Sequence, residues 1–129
     1  MIADAYYEQK ELAYELKDMM NAISHINKPA YLLDYFDFFC QHMDVSPGDI
    51  AGTSRKQEIY MPRCQFVAFV REISNETITL KEIGRLLSDR DHSSIINSLE
   101  AHSEWMVISD AYRQGYNGLM KMWRLRNGK

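Results

Sequence analysis

Apolar positions recur at helical spacing along most of the chain, and the pattern is clearest over residues 80–99, LKEIGRLLSDRDHSSIINSL. Leu80, Ile83, Leu86 and Leu87 fall on one face, while Lys81, Glu82 and Arg85 point to water. Gly84 sits inside this run, which implies close approach of another helix there. The pattern stops at Ser88-Asp89, residue types that compete with helical backbone bonds and tolerate a left-handed turn. Asp91 is then placed to cap a second helix with Ile95, Ile96 and Leu99 on its apolar side. Two helices joined by so short a turn have the spacing of a helix-turn-helix, whose second helix presents its first residues to the major groove. Here those residues are Arg90, Asp91, His92, Ser93 and Ser94, all able to hydrogen-bond. By spacing alone, an ordinary capped helix with a solvated first turn accounts for the pattern equally well.

The flanking segments also read as helices. Over residues 5–26, Leu12, Leu16, Met19, Ile23 and Ile26 form a heptad seam, suited either to packing on the rest of the chain or to self-association. Asn27 and Pro29 end it. The next helix, residues 30–43, carries Tyr31, Tyr35, Phe36, Phe38 and Phe39. We read these as core, because no Lys or Arg interleaves them and Asp34, Asp37 and Asp44 would repel phosphates. Ser46 and Pro47 suit the cap and first position of a short helix. Residues 52–57 form a polar loop with Arg55 and Lys56, followed by a mostly buried helix over residues 64–73. Thr79 and Glu82 make a capping box for the first helix of the motif. The second continues to residue 102 or 105. A last helix over residues 109–125 has Tyr112, Tyr116, Leu119 and Trp123 on one stripe, weakened by Gly115 and Gly118, before a frayed basic tail.

Composition adds limits. With 129 residues and 46% apolar content, one domain can bury a core without staples. Cys40 and Cys64 stand in apolar helical contexts, as reduced core thiols of a cytoplasmic protein do. There is no leader-like start, and the longest apolar run is residues 66–70, so neither export nor membrane insertion is expected. A net charge of −3 argues against phosphate neutralisation, yet its distribution does not. Residues 1–52 hold three Lys against nine acids, a balance of −6, while residues 53–129 hold twelve Lys or Arg against nine acids, +3. The acidic half is a solvated face, a surface for a basic partner, or a cover for the basic half. His102 has no second His or Cys at ligand spacing, which favours a half-buried histidine bonded to backbone over a metal ligand. Asp91 to Ser94 contain the residue types of a hydrolase triad, but consecutive residues at a helix start cannot align one. No enzyme, metal or cofactor is expected.

The run Ile83-Gly84, Leu86-Leu87, Arg90-Asp91-His92-Ser93-Ser94-Ile95 resembles the signature of the carboxy-terminal DNA-binding domain of the bacterial replication initiator DnaA, typically Gly-Gly-Arg-Asp-His-Thr-Thr plus an aliphatic residue. The likeness extends upstream through Pro62-Arg63, Arg71-Glu72-Ile73-Ser74-Asn75 and Arg55-Lys56, covering roughly residues 35–106. It implies an all-α helical bundle with a Trp-repressor-like helix-turn-helix, five or six helices in all. Residues 1–28 would be an amino-terminal amphipathic helix and residues 29–129 the DNA-binding domain. The partner implied is double-stranded DNA, read sequence-specifically in connection with replication initiation or its regulation. Asp91, His92, Ser93 and Ser94 would face bases in the major groove and Arg55 the minor groove, while Arg63, Arg71, Lys81 and Arg90 would hold phosphates. Ser93 and Ser94 lack the Thr methyl groups, Asp89 stands where the family has glycine, and Lys81 where it usually has proline. No GxxxxGK[ST] segment is present, so nucleotide binding is not expected. A rival expectation is a protein-interaction module that kept the fold without DNA affinity, with the amino-terminal helix binding a partner or a second copy.

Overall fold

The computed structural model describes residues 28–127, and among these it forms six helices and no strand. They are α1 (Lys28–Met43), α2 (Pro47–Ala51), α3 (Gln57–Ile73), α4 (Leu80–Leu86), α5 (His92–Ile108) and α6 (Asp110–Arg126). The heptad seam of residues 5–26 lies outside the described residues.

The central element is α3, which packs against α1, α2 and α5, while α5 in turn carries α4 and α6. Every residue from Arg63 to Arg71 is buried, so α3 has no solvent face along this stretch. Its Phe66 and Phe69 meet Phe39 of α1 with ring centroids 5.4 and 6.1 Å apart. Trp123 of α6 closes the same cluster edge-on to Phe38, at 5.0 Å, and to Phe69, at 5.6 Å. Phe39, Phe66 and Phe69 are fully buried, which stabilises by roughly 1.5–3 kcal/mol each, and the partly buried Phe38 and Trp123 extend the cluster so that it anchors α1, α3 and α6 together. Cys40 and Cys64 are free and buried, and burial pushes both thiols up to about 11.

Several boundaries differ from those the sequence implies. The central helix starts seven residues early, at Gln57, and runs through Pro62. A proline inside a helix removes one backbone donor, but the unbroken burial from Arg63 to Arg71 outweighs one missing bond. Ser46 occupies the cap position of α2 without making a side-chain cap bond, leaving Pro47 at the first turn to define that start. Tyr31 is 52% exposed and does not join the core. The last helix takes in Arg124 and Arg126, where the sequence implies a frayed tail, and Arg126 reaches Asp34 of α1 at 3.2 Å.

Candidate nucleic-acid interface

The geometry of the helix-turn-helix is set by caps at both of its helices. Thr79 Oγ1 accepts the Glu82 backbone N–H at 3.1 Å and donates to the Glu82 carboxylate at 3.0 Å, fixing the start of α4. That helix ends at Leu86, and the next residue, Leu87, is wholly buried. Ser88 and Asp89 then adopt φ of 62° and 54°, the left-handed conformation that reverses the chain. The reversal brings the Arg90 N–H onto the Gly84 carbonyl at 2.8 Å. A Cβ on Gly84 would stand 2.1 Å from the Arg90 carbonyl oxygen, so the close approach that requires glycine is made by the turn, not by another helix. Asp91 caps α5 by accepting from the Ser94 N–H at 2.9 Å, while Ile95 and Ile96 bury the opposite side.

A second arm is the loop of residues 52–56. Arg63, buried at 2% exposure, reaches out of α3 beneath it. Its guanidinium donates to the carbonyls of Ile50 at 2.8 Å, Asp49 and Ser54 at 2.9 Å, and Gly52 at 3.2 Å. Arg90 donates to the same Gly52 carbonyl at 2.7 Å and also to Leu87, while the Ser88 hydroxyl donates to Ala51. The motif's turn is therefore tied to the loop and the end of α2 by Arg90 and Ser88, and Arg63 ties the same segment to α3. Between the loop and α5 lies a groove of about 500 Å³, lined by Thr53, Arg55, Tyr60, Arg63, Ser88, Arg90, Ser94, Asn97 and Ser98. Burial lowers the pKa of Arg63 and Arg90, and a neighbouring cation adds to it in each case: Arg90 for Arg63, and Arg55 for Arg90. Two partly desolvated guanidinium groups, with the exposed Arg55 beside them, disfavour each other and favour an anion.

Of the residues expected at a DNA surface, Arg55, Arg63, Arg90 and Ser94 are brought together in this groove, Arg63 as a buried part of its lining. Asp91 and Ser93 are exposed beside it and His92 is half-buried at the first position of α5. Lys81 is exposed on the first turn of α4. Arg63 and Arg71 are not exposed as a phosphate contact would be. Both are buried, and Arg71, which the sequence places on a polar side, donates to Ile78 at 2.8 Å and Glu76 at 3.4 Å, bracing the loop before α4. Asn97 and Thr53 are not singled out by sequence. A signal for Asn97 is nonetheless there, since it follows Ser93 by four residues and Ser94 by three, the spacing of one helix face.

His102 lies away from the groove. Its Nδ1 is hydrogen-bonded to the Tyr112 hydroxyl at 2.7 Å, a side-chain partner where the sequence suggests backbone, and its ring meets Tyr116 edge-on at 4.5 Å. Burial pushes its pKa down to about 4. No three residues capable of holding a metal ion come together among the described residues, and no described helix is long and apolar enough to cross a membrane.

Residues 36–101 match the family described as the bacterial DnaA protein helix-turn-helix. Curated relatives named chromosomal replication initiator protein DnaA include those of two strains of Thermus thermophilus. Each is 31% identical over 98 residues, covering 73% of this chain and 22% of the relative. The protein of the same name from Thermomicrobium roseum is 34% identical over 74 residues, covering 57% of this chain and 16% of its own length. The chain thus spans about a fifth of the length of these Thermus relatives (22%).

Proposed function

Because the chain belongs to the bacterial DnaA helix-turn-helix family, we propose that it binds double-stranded DNA and reads sequence through the first turn of α5. The observation that carries this reading is the groove. It is flanked on one side by an exposed arginine on a braced loop and on the other by the capped, polar start of a helix. A body that puts one arm in the major groove and the other in the adjacent minor groove must straddle the sugar-phosphate strand between them. In this reading Arg55 enters the minor groove, where narrow A/T-rich segments attract it electrostatically. Asp91, His92, Ser93 and Ser94 face base edges, an Asp accepting from cytosine and a hydroxyl serving either base type. Lys81 and Arg90 hold phosphates. Arg63 and Arg71 act from behind the surface, holding the loops that carry the contacts. The names of the relatives point to replication initiation or its regulation as the setting.

Selection from random duplexes tests this directly. We expect enrichment of a defined site with an A/T-rich flank, with Arg55→Ala weakening flanked sites more than others and Lys81→Ala weakening all sites about equally. Failure to enrich any duplex, together with protein capture insensitive to salt, would instead mark an interaction module that kept the fold.

A further inference from the structure

Among the polar side chains that line the groove, Asn97 has no part in the roles above. Asn97 is exposed and shares the open space with Arg55, Arg90 and Ser94. Its neighbours are committed within the protein: the Ser98 hydroxyl donates to the Ser94 carbonyl at 3.1 Å and the Ser88 hydroxyl to Ala51. The Asn97 carboxamide, by contrast, makes no hydrogen bond among the described residues. Helix geometry fixes where it points. At about 100° per residue, Asn97 lies about 40° around the axis from Ser93 and about 60° from Ser94, between the two, and about 4.5–6 Å further along. It therefore stands on the exposed face that Ser93 and Ser94 share, one turn further along the helix. A base-pair step is about 3.4 Å, so that advance corresponds to one or two base pairs.

Resting on the DNA-binding reading above, we propose that Asn97 is a specificity-determining residue that reads adenine one to two base pairs beyond those met by Ser93 and Ser94. A carboxamide offers one donor and one acceptor side by side, the complement of adenine N7 and its N6 amino group. A phosphate offers acceptors only. It would use half of that pattern, and Arg90, assigned to phosphate above, lines the same groove with a guanidinium better suited to it.

The test is a competition series in which each base pair of the selected site is replaced in turn, run with the full chain and with Asn97→Ala and Asn97→Asp. The native chain should prefer adenine at one position by about 5- to 150-fold, the range of one bidentate base contact. Asn97→Ala should erase that preference at that position alone and leave the others unchanged. Asn97→Asp should move it toward cytosine, whose amino group a carboxylate accepts. Equal weakening on every duplex would make Asn97 a phosphate contact, and an unchanged profile in both variants would leave it with no part in reading; either overturns the assignment. A native chain that discriminates among no duplexes would fail before residue 97 is changed, and so would sink the DNA-binding reading separately.

Discussion

Individual side chains at the start of α5 divide into those that serve the fold and those that the DNA reading assigns to base edges. Asp91 does both, since it holds the Ser94 N–H at 2.9 Å. Asp91→Ala should lower stability by about 1 kcal/mol, the usual loss for a helix cap, along with recognition. His92→Ala and Ser94→Ala should change the urea midpoint very little, because replacements away from caps and core usually stay within about 0.5 kcal/mol. Under the DNA reading these two should nonetheless reduce preference for the selected site. If His92→Ala unfolds the chain and the folded fraction keeps its preference, His92 belongs to the core. His102 titrates in a way that can be checked. Its folded pKa is depressed to about 4 by burial, while an unfolded histidine titrates near 6.5. As pH falls from about 6.5 toward 4, the unfolded chain takes up a proton that the folded chain refuses. Stability is thus lost across that window, at no more than about 1.4 kcal/mol per pH unit, and the loss levels off below it. Denaturation at pH 7, 5.5 and 4.5 should show His102→Gln losing less than the native chain; equal losses would assign the slope to other groups.

Among the elements, the turn between α4 and α5 is the most tightly constrained. The Arg90 carbonyl lies where a Gly84 side chain would be, and this is a contact with backbone, which cannot swing away. Gly84→Ala should therefore destabilise by about 1–3 kcal/mol, as overpacking does, and displace Arg90 from the groove. The opposite change is available two residues past the buried Leu87. Asp89 holds φ of 54° with a Cβ present, so Asp89→Gly should stabilise by up to about 1 kcal/mol and also remove an acid from the interface. Calorimetry of the two variants should move the melting temperature in opposite directions. A neutral Gly84→Ala would mean that the turn is looser than its geometry implies.

The whole molecule carries its charge unevenly, net −3 overall but positive beyond residue 52. If Lys81, Arg90 and Arg55 each displace one counterion, the logarithm of the DNA association constant should fall with the logarithm of salt at a slope of about −3. A slope near zero would remove phosphate contact from the proposed function. The aromatic cluster of Phe38, Phe39, Phe66, Phe69 and Trp123 holds α1, α3 and α6 as one body behind the groove. Both arms are tied to that body, the loop through Arg63 and α5 through Ile95 and Ile96.

Features that depend on neighbours three or four residues away could be read from residue order: the helices, the caps at Thr79 and Asp91, the left-handed pair Ser88-Asp89, and the polar first turn of α5. Each is a local balance of backbone donors, side-chain oxygens and steric freedom, legible wherever the residues are adjacent. The family signature was legible for the same reason, its residues being contiguous. Which arginines face outward was settled by packing between distant segments. Arg63 spans 13 residues to Ile50 and Arg90 spans 38 to Gly52, and no periodicity reports a guanidinium drawn inward by carbonyls so far along the chain. The same holds for the helix continuing through Pro62, the pairing of His102 with Tyr112, and the groove that gathers Arg55, Arg90, Ser94 and Asn97. These are outcomes of packing, where desolvation and long-range hydrogen bonding override the preferences of each residue taken alone.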